Sequence, residues 1–162
     1  MRLRTKFSLL NSFLIIVVIL GVSIFLFVAE KKLLIEDMEE NRSNIIKGLA
    51  QVGKESLITN DEILLINYIN LVKKTRGVIY AMVTDNRGKI LAHTDVALLG
   101  KSANGPVATK AISSNEVATQ TYVDKDKGNI LDIAMPILVN ENKMGMARIG
   151  FAQDALHEVV EE

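Results

Sequence analysis

The chain has 162 residues, 49% hydrophobic and 23% charged, with 19 basic side chains balancing 19 acidic ones and no cysteine. That composition excludes disorder over most of the length, and the lack of cysteine removes disulfide frameworks, thiolate nucleophiles and iron–sulfur clusters. A net charge of zero and an aromatic share of 5% supply neither a field for phosphate backbones nor platforms for stacking bases, so nucleic acid is not an expected partner.

Residues 7–29 contain no charged side chain, and beyond Phe13 only Gly21 and Ser23 interrupt the apolar run. At about 1.5 Å per helical residue, such a segment spans a hydrocarbon layer of about 30 Å. A cleaved leader is the competing reading, but bulky Phe27 stands where a cut after Ala29 would need a small residue, which favours an uncleaved anchor. Arg2, Arg4 and Lys6 precede the span, whereas residues 30–40 carry five acids against Lys31 and Lys32. The positive-inside bias then expects residues 1–6 in the cytoplasm, one pass through the plasma (inner) membrane at 7–29, and residues 30–162 outside.

Residues 30–76 read as helices. Leu34, Met38, Asn41, Ile45, Gly48 and Val52 recur at spacings of four and three, close to a coiled-coil seam, which points to a homodimer. Ile35, Ile46 and Leu49 widen the stripe, so packing on the chain's own domain is open as well. Thr59, Asn60, Asp61 and Glu62 break the pattern and offer caps for a second helix over residues 63–74, with Gly77 as its C-terminal stop.

From Val78 the period changes to two. A strand over 78–84, a turn at 85–88 and a strand over 89–93 make a hairpin. Residues 94–105 read as loop and 106–114 as a short helix, with strands over 116–123, 130–139 and 144–152 and a closing helix over 153–162. The expected class is α+β, with the long helix packed on a five-stranded antiparallel sheet. Alternation in the first strand puts Val78, Tyr80, Met82 and Thr84 on one face and Ile79, Ala81 and Val83 on the helix-covered face.

The run YAMVTDNRGKILAH at 80–93, followed by Thr94, Asp95 and LGKS at 99–102, resembles the single Cache, or PAS-like, extracytoplasmic domains of bacterial transmembrane sensor histidine kinases and chemoreceptors. Met135, Pro136 and Ile137, followed by MGMARIG at 144–150, are similar to that family's last two strands. The resemblance covers about residues 30–160. It implies a sensor that binds a small ligand and passes a shift to the membrane, with a kinase or other output module lying beyond residue 162. No catalysis is expected of this segment itself.

In the resembling citrate and dicarboxylate sensors, ligand contacts fall at the positions of Tyr80, Met82, Ile90, His93, Asp132, Ala134 and Arg148. Basic residues typical of Ile90, Asp132 and Ala134 are missing here, which argues against citrate, since its carboxylates would meet Asp132. The ligand-binding residues taken from this comparison are Tyr80, Met82, His93, Asp132 and Arg148. Asp132 and Arg148 together suit the ammonium and carboxylate of an amino acid, or an amine. A cross-strand ion pair that needs no ligand explains the same two residues.

No metal or cofactor is expected. His93 and His157 are too far apart in sequence, and Asp124, Asp126 and Gly128 lack the later acid of a calcium loop. Two function classes remain: a ligand sensor of the histidine kinase, chemoreceptor or cyclase type, and a ligand-free dimerisation module.

Overall fold

A computed structural model describes the backbone of residues 3–153 and the side chains of residues 11–33 and 37–153. Contacts divide the chain into two units after Glu40. The first contains the opening turns of α1 (Leu3–Thr59). Every side chain from residue 11 to residue 28 is exposed, and the mean hydropathy reaches 3.0 over one 18-residue window. By length and composition this helix can cross a membrane.

In the second unit α1 continues to Thr59, and Asn60 reverses the chain at φ 55°. Asp61 caps α2 (Glu62–Val72) through Oδ1, which accepts from the backbone N–H of Ile63 at 3.0 Å and of Leu64 at 3.1 Å. This is the break expected at 59–62. The helix ends at Val72, however, and not at Gly77: Lys74 and Thr75 make i→i−3 turn bonds, and Gly77 (φ 80°) serves the entry into the sheet. Turn formation there competes successfully with helix continuation.

The sheet consists of β1 (Val78–Asp85), β2 (Ile90–His93), β3 (Ala118–Asp124), β4 (Gly128–Val139) and β5 (Asn142–Ala152), in the order β2-β1-β5-β4-β3. Every pairing is antiparallel. Five strands and an α+β architecture are as the sequence pattern indicates. On one face Ala81, Val83, Ala92, Ala147, Ile149 and Phe151 pack under Ile46 and Leu49 of α1 and Leu65, Ile69 and Val72 of α2.

Strict alternation fails at one point. The β1–β5 register shifts between Val78 and Tyr80, so Val78 joins the helix-covered core and Ile79 the opposite cluster, the reverse of the alternating assignment. An extra residue in one strand of a pair flips everything before it.

The core face of α1 also differs from the expected seam. Arg42, Ile46, Leu49, Ala50 and Gly53 are buried, Asn41 is exposed, and Ile45 and Val52 pack at the core margin. A helix lying on a sheet follows the 3.6-residue period, so this face takes in Ile46 and Leu49 of the widened stripe and leaves several positions of the two-chain seam at its margin. Arg42 sits over the Phe151 ring at 5.2 Å. The side chains of Leu34 and Ile35, and all of the helix expected over 153–162 beyond Gln153, lie outside the described residues.

The second sheet face is covered too. Ala111 of α3 (Pro106–Ser113) packs on Ala134 and Met146, and Tyr80, Met82, Ile90 and Ile130 form a separate cluster beside it. Lys143 fixes the end of α3 by donating to the carbonyls of Ile112 and Ser114, and burial lowers its pKa. The Gln120 amide holds the start of α3 through the Val107 carbonyl at 3.0 Å.

Candidate ligand-binding site

Ala147 and Ile149 are both fully buried under the helices, so the pleat sends Arg148 to the other face of β5. There its Nη2 donates to Asp132 Oδ2 at 3.0 Å and to the Tyr80 hydroxyl at 3.2 Å. The Tyr80 hydroxyl in turn donates to Asp132 Oδ1, closing a triangle. Asp132 is 0% exposed and Arg148 3%. Asp132 faces Gly150 and Ala134 faces Arg148 in the register, so the ion pair runs diagonally between β4 and β5.

Tyr80 is positioned by what it lies on. Its cross-strand partner is Gly150, and a Cβ at residue 150 would fall among the ring atoms of Tyr80. Burial pushes the Tyr80 phenol far up; Asp132 adds to that and Arg148 opposes it. The group therefore stays protonated and serves as a fixed donor to Asp132.

Above this triangle lies a cavity of about 420 Å³, within the size range of small-molecule sites. Both edge strands contribute: Ile90 and His93 come from β2 and Tyr122 from β3, with Tyr80, Met82 and Arg148 between them. The opposite wall is residues 102–108, together with Leu98. This wall is tied to β2 by backbone bonds from Ile90 to Lys101 (2.8 Å) and from Ala103 to Gly88 (2.8 Å). Gly105, at φ 101°, turns the chain into α3 in a conformation that only glycine adopts without strain.

His93 stacks on Tyr80, with ring centroids 6.1 Å apart. The backbone N–H of Asp95 donates to His93 Nδ1 at 2.7 Å, which leaves the proton of the neutral ring on Nε2. Burial lowers the His93 pKa; nearby Asp95 opposes the shift, while Lys127 and Arg148 reinforce it. A histidine lowered in the fold binds fewer protons than its unfolded counterpart below about pH 6.5. Its contribution to stability is therefore complete above that pH and is lost as pH falls. His93→Asn keeps an acceptor near the Nδ1 position and is expected to flatten the melting-temperature profile below about pH 6.5; an unchanged slope would assign the acid sensitivity to another group.

Of the five residues chosen from sequence, Tyr80, Met82, His93 and Arg148 line the cavity, and Asp132 does not. Asp132 lies behind Tyr80 and Arg148 with its oxygens engaged by them. Ile90 lines the cavity, and Ala134 packs instead with Ala111. Sequence reasoning missed Tyr122, Lys127, Ser102 and Asn104. Alternation along β3 already marks Tyr122, since Ala118, Gln120 and Tyr122 are half-buried between exposed Thr119, Thr121 and Val123. Lys127 carries no such mark: it belongs to a polar hairpin turn like many others. Among the described residues no group of three His, Asp or Glu side chains is placed to hold a metal ion.

A family model described as single Cache domain 3 matches residues 30–162. No curated protein sequence matches the chain. Among solved structures, the Escherichia coli DcuS sensor domain superposes with a TM-score of 0.58 at 16% identity, covering 78% of this chain and 97% of that one. The sensory domain of the Campylobacter jejuni chemoreceptor Tlp3, with isoleucine bound, gives a TM-score of 0.61 at 13% identity over 83% of this chain and 60% of its own. The extracellular domain of vpHK1S-Z8, described as a histidine kinase, gives 0.66 at 16% identity over 83% and 57%. This chain thus spans nearly all of the first and under two thirds of the other two. At such identities the likeness is one of fold, and that fold is the one used by sensor domains.

Proposed function

The chain belongs to the single Cache domain 3 family, and from that premise we propose that residues 30–162 are the extracytoplasmic sensor module of a membrane receptor, preceded by a membrane span at 7–29 with residues 1–6 in the cytoplasm. The observation that carries this reading is the cavity of about 420 Å³ with the buried Arg148 in its lining. A ligand-free dimerisation module gives no role to a cavity of this size bordered by a buried guanidinium. Amino acids are one class of suitable size, as the isoleucine complex of the Campylobacter jejuni domain illustrates.

Signalling requires the ligand to favour one arrangement of the domain over another, because equal affinity for both shifts nothing. Arg148 sits on β5, the last described strand, which pairs with both β1 and β4. A ligand that draws on Arg148 therefore acts on the segment leading out of the domain.

One experiment tests placement and binding together. The chain has no cysteine, so Ser102→Cys puts a single thiol in the exposed rim of the cavity. A membrane-impermeant maleimide should label it in intact spheroplasts, and at least one compound from a broad panel of amino acids, amines and carboxylates should slow the labelling. Labelling only after lysis would reverse the topology, and a panel without effect would remove the sensor reading.

A further inference from the structure

We infer that the cavity selects a singly charged carboxylate with an apolar body, and that Lys127 at its rim, together with Arg148, sets this preference. The inference rests on the cavity being the ligand site of the sensor module. Both hydrogen bonds of Arg148 leave from Nη2, and its Nε is buried without a partner. Arg148 lines the cavity with its hydrogen-bonding capacity only partly used, so a carboxylate there can take a charge-assisted bond from the guanidinium.

Charge counting then restricts the ligand. Among the described residues, the charged side chains lining the cavity are Lys127 and Arg148, and no acid lines it. Asp132, directly behind, neutralises one of the two cations. His93 is held neutral, with its Nε2 carrying the proton, and so adds a donor without a charge. The net balance is one positive charge, which a monoanion matches. A dianion would leave one negative charge over, and it would sit near buried Asp132. The ammonium of an amino acid or amine would find no carboxylate in the lining among the described residues, and Asp132 behind it is already held by Arg148 and Tyr80. This departs from the zwitterion or amine expected from sequence, which needed Asp132 in contact with the ligand. Ile90, Leu98, Ala103 and Val107 give the lining an apolar part alongside Ser102 and Asn104, and a hydrocarbon body would rest on that part.

The test uses four compounds of similar body and different charge: 4-methylpentanoate, leucine, 3-methylbutylamine and adipate. Each is titrated calorimetrically into the full chain reconstituted in lipid nanodiscs. 4-Methylpentanoate should bind at least about tenfold more tightly than the other three. Leucine, the amine or adipate binding as tightly would overturn the inference while leaving the sensor reading intact. If none of the four binds, the hit from the broad panel decides: a monoanion supports the inference, and a zwitterion, cation or dianion overturns it. A panel without any hit overturns both. Lys127 is exposed, so Lys127→Gln should fold normally and weaken carboxylate binding about tenfold while the affinity for leucine barely changes. Unchanged carboxylate affinity in that variant would remove Lys127 from the selection.

Discussion

Asp132→Ala is expected to destabilise the folded domain by about 3–5 kcal/mol, the usual cost of removing one partner from a buried ion pair. The reason is specific to the triangle. Without Asp132, Arg148 would keep its charge in a site that is only 3% exposed, and the Tyr80 hydroxyl would lose its acceptor. Both groups are buried, Tyr80 at 8% and Arg148 at 3% exposure, so contact with the cavity offsets only part of that loss. Replacing both members, Asp132→Leu with Arg148→Met, removes the charges together and should cost less, about 1–3 kcal/mol, the remainder being the Tyr80 hydroxyl left without its acceptor. Denaturant unfolding of the full chain in detergent measures both. The double variant should remain folded and lose carboxylate binding, which separates the structural from the recognition role of Arg148. A double variant as unstable as the single one would show that packing, and not the uncompensated charge, sets the cost.

The contrast between Asp132 and Lys127 shows what the sequence reveals and what it hides. Alternation on β5 and β4 puts Arg148 and Asp132 on the same sheet face, because Ala147, Ile149, Leu131 and Ile133 must point to the helices. That much follows from a period of two. Whether Asp132 touches the ligand or stands behind Arg148 depends on the Tyr80 ring lying across it, a contact between residues 52 positions apart. No local pattern encodes such a contact. Lys127 becomes part of the site only because the β3–β4 turn, closed at Asp124 and Gly128, faces the same cavity as the β2 edge. The long helix was legible as an element, and so were Ile46 and Leu49 as packing residues, but buried Arg42, Ala50 and Gly53 were not, since a stripe containing Ile45, Ile46, Leu49 and Val52 fits both periods. The flip at Val78 and Ile79 escaped for a related reason: a bulge is one residue of register, and composition does not mark it.

Gly150 connects these layers, and its substitution should have the largest effect on binding. Alanine at this position would place a methyl group among the ring atoms of Tyr80, and the backbone of β5 cannot retreat because it pairs on both sides with β1 and β4. The ring must therefore move. It would lose its bond to Asp132 and its stacking on His93, and it would move into the cavity floor. Overpacking of this kind costs about 1–3 kcal/mol, so Gly150→Ala should still fold, with a lowered melting temperature and no measurable carboxylate binding. The effect is mediated by one ring, which makes it separable: in a Tyr80→Ala background the further change Gly150→Ala meets open space and should cost nearly nothing. Contacting residues that act through a single clash show such non-additivity, whereas independent ones add within about 0.5 kcal/mol. Full additivity of the two substitutions, or a Gly150→Ala variant that binds as the parent does, would mean that Tyr80 does not form the floor on which the ligand rests.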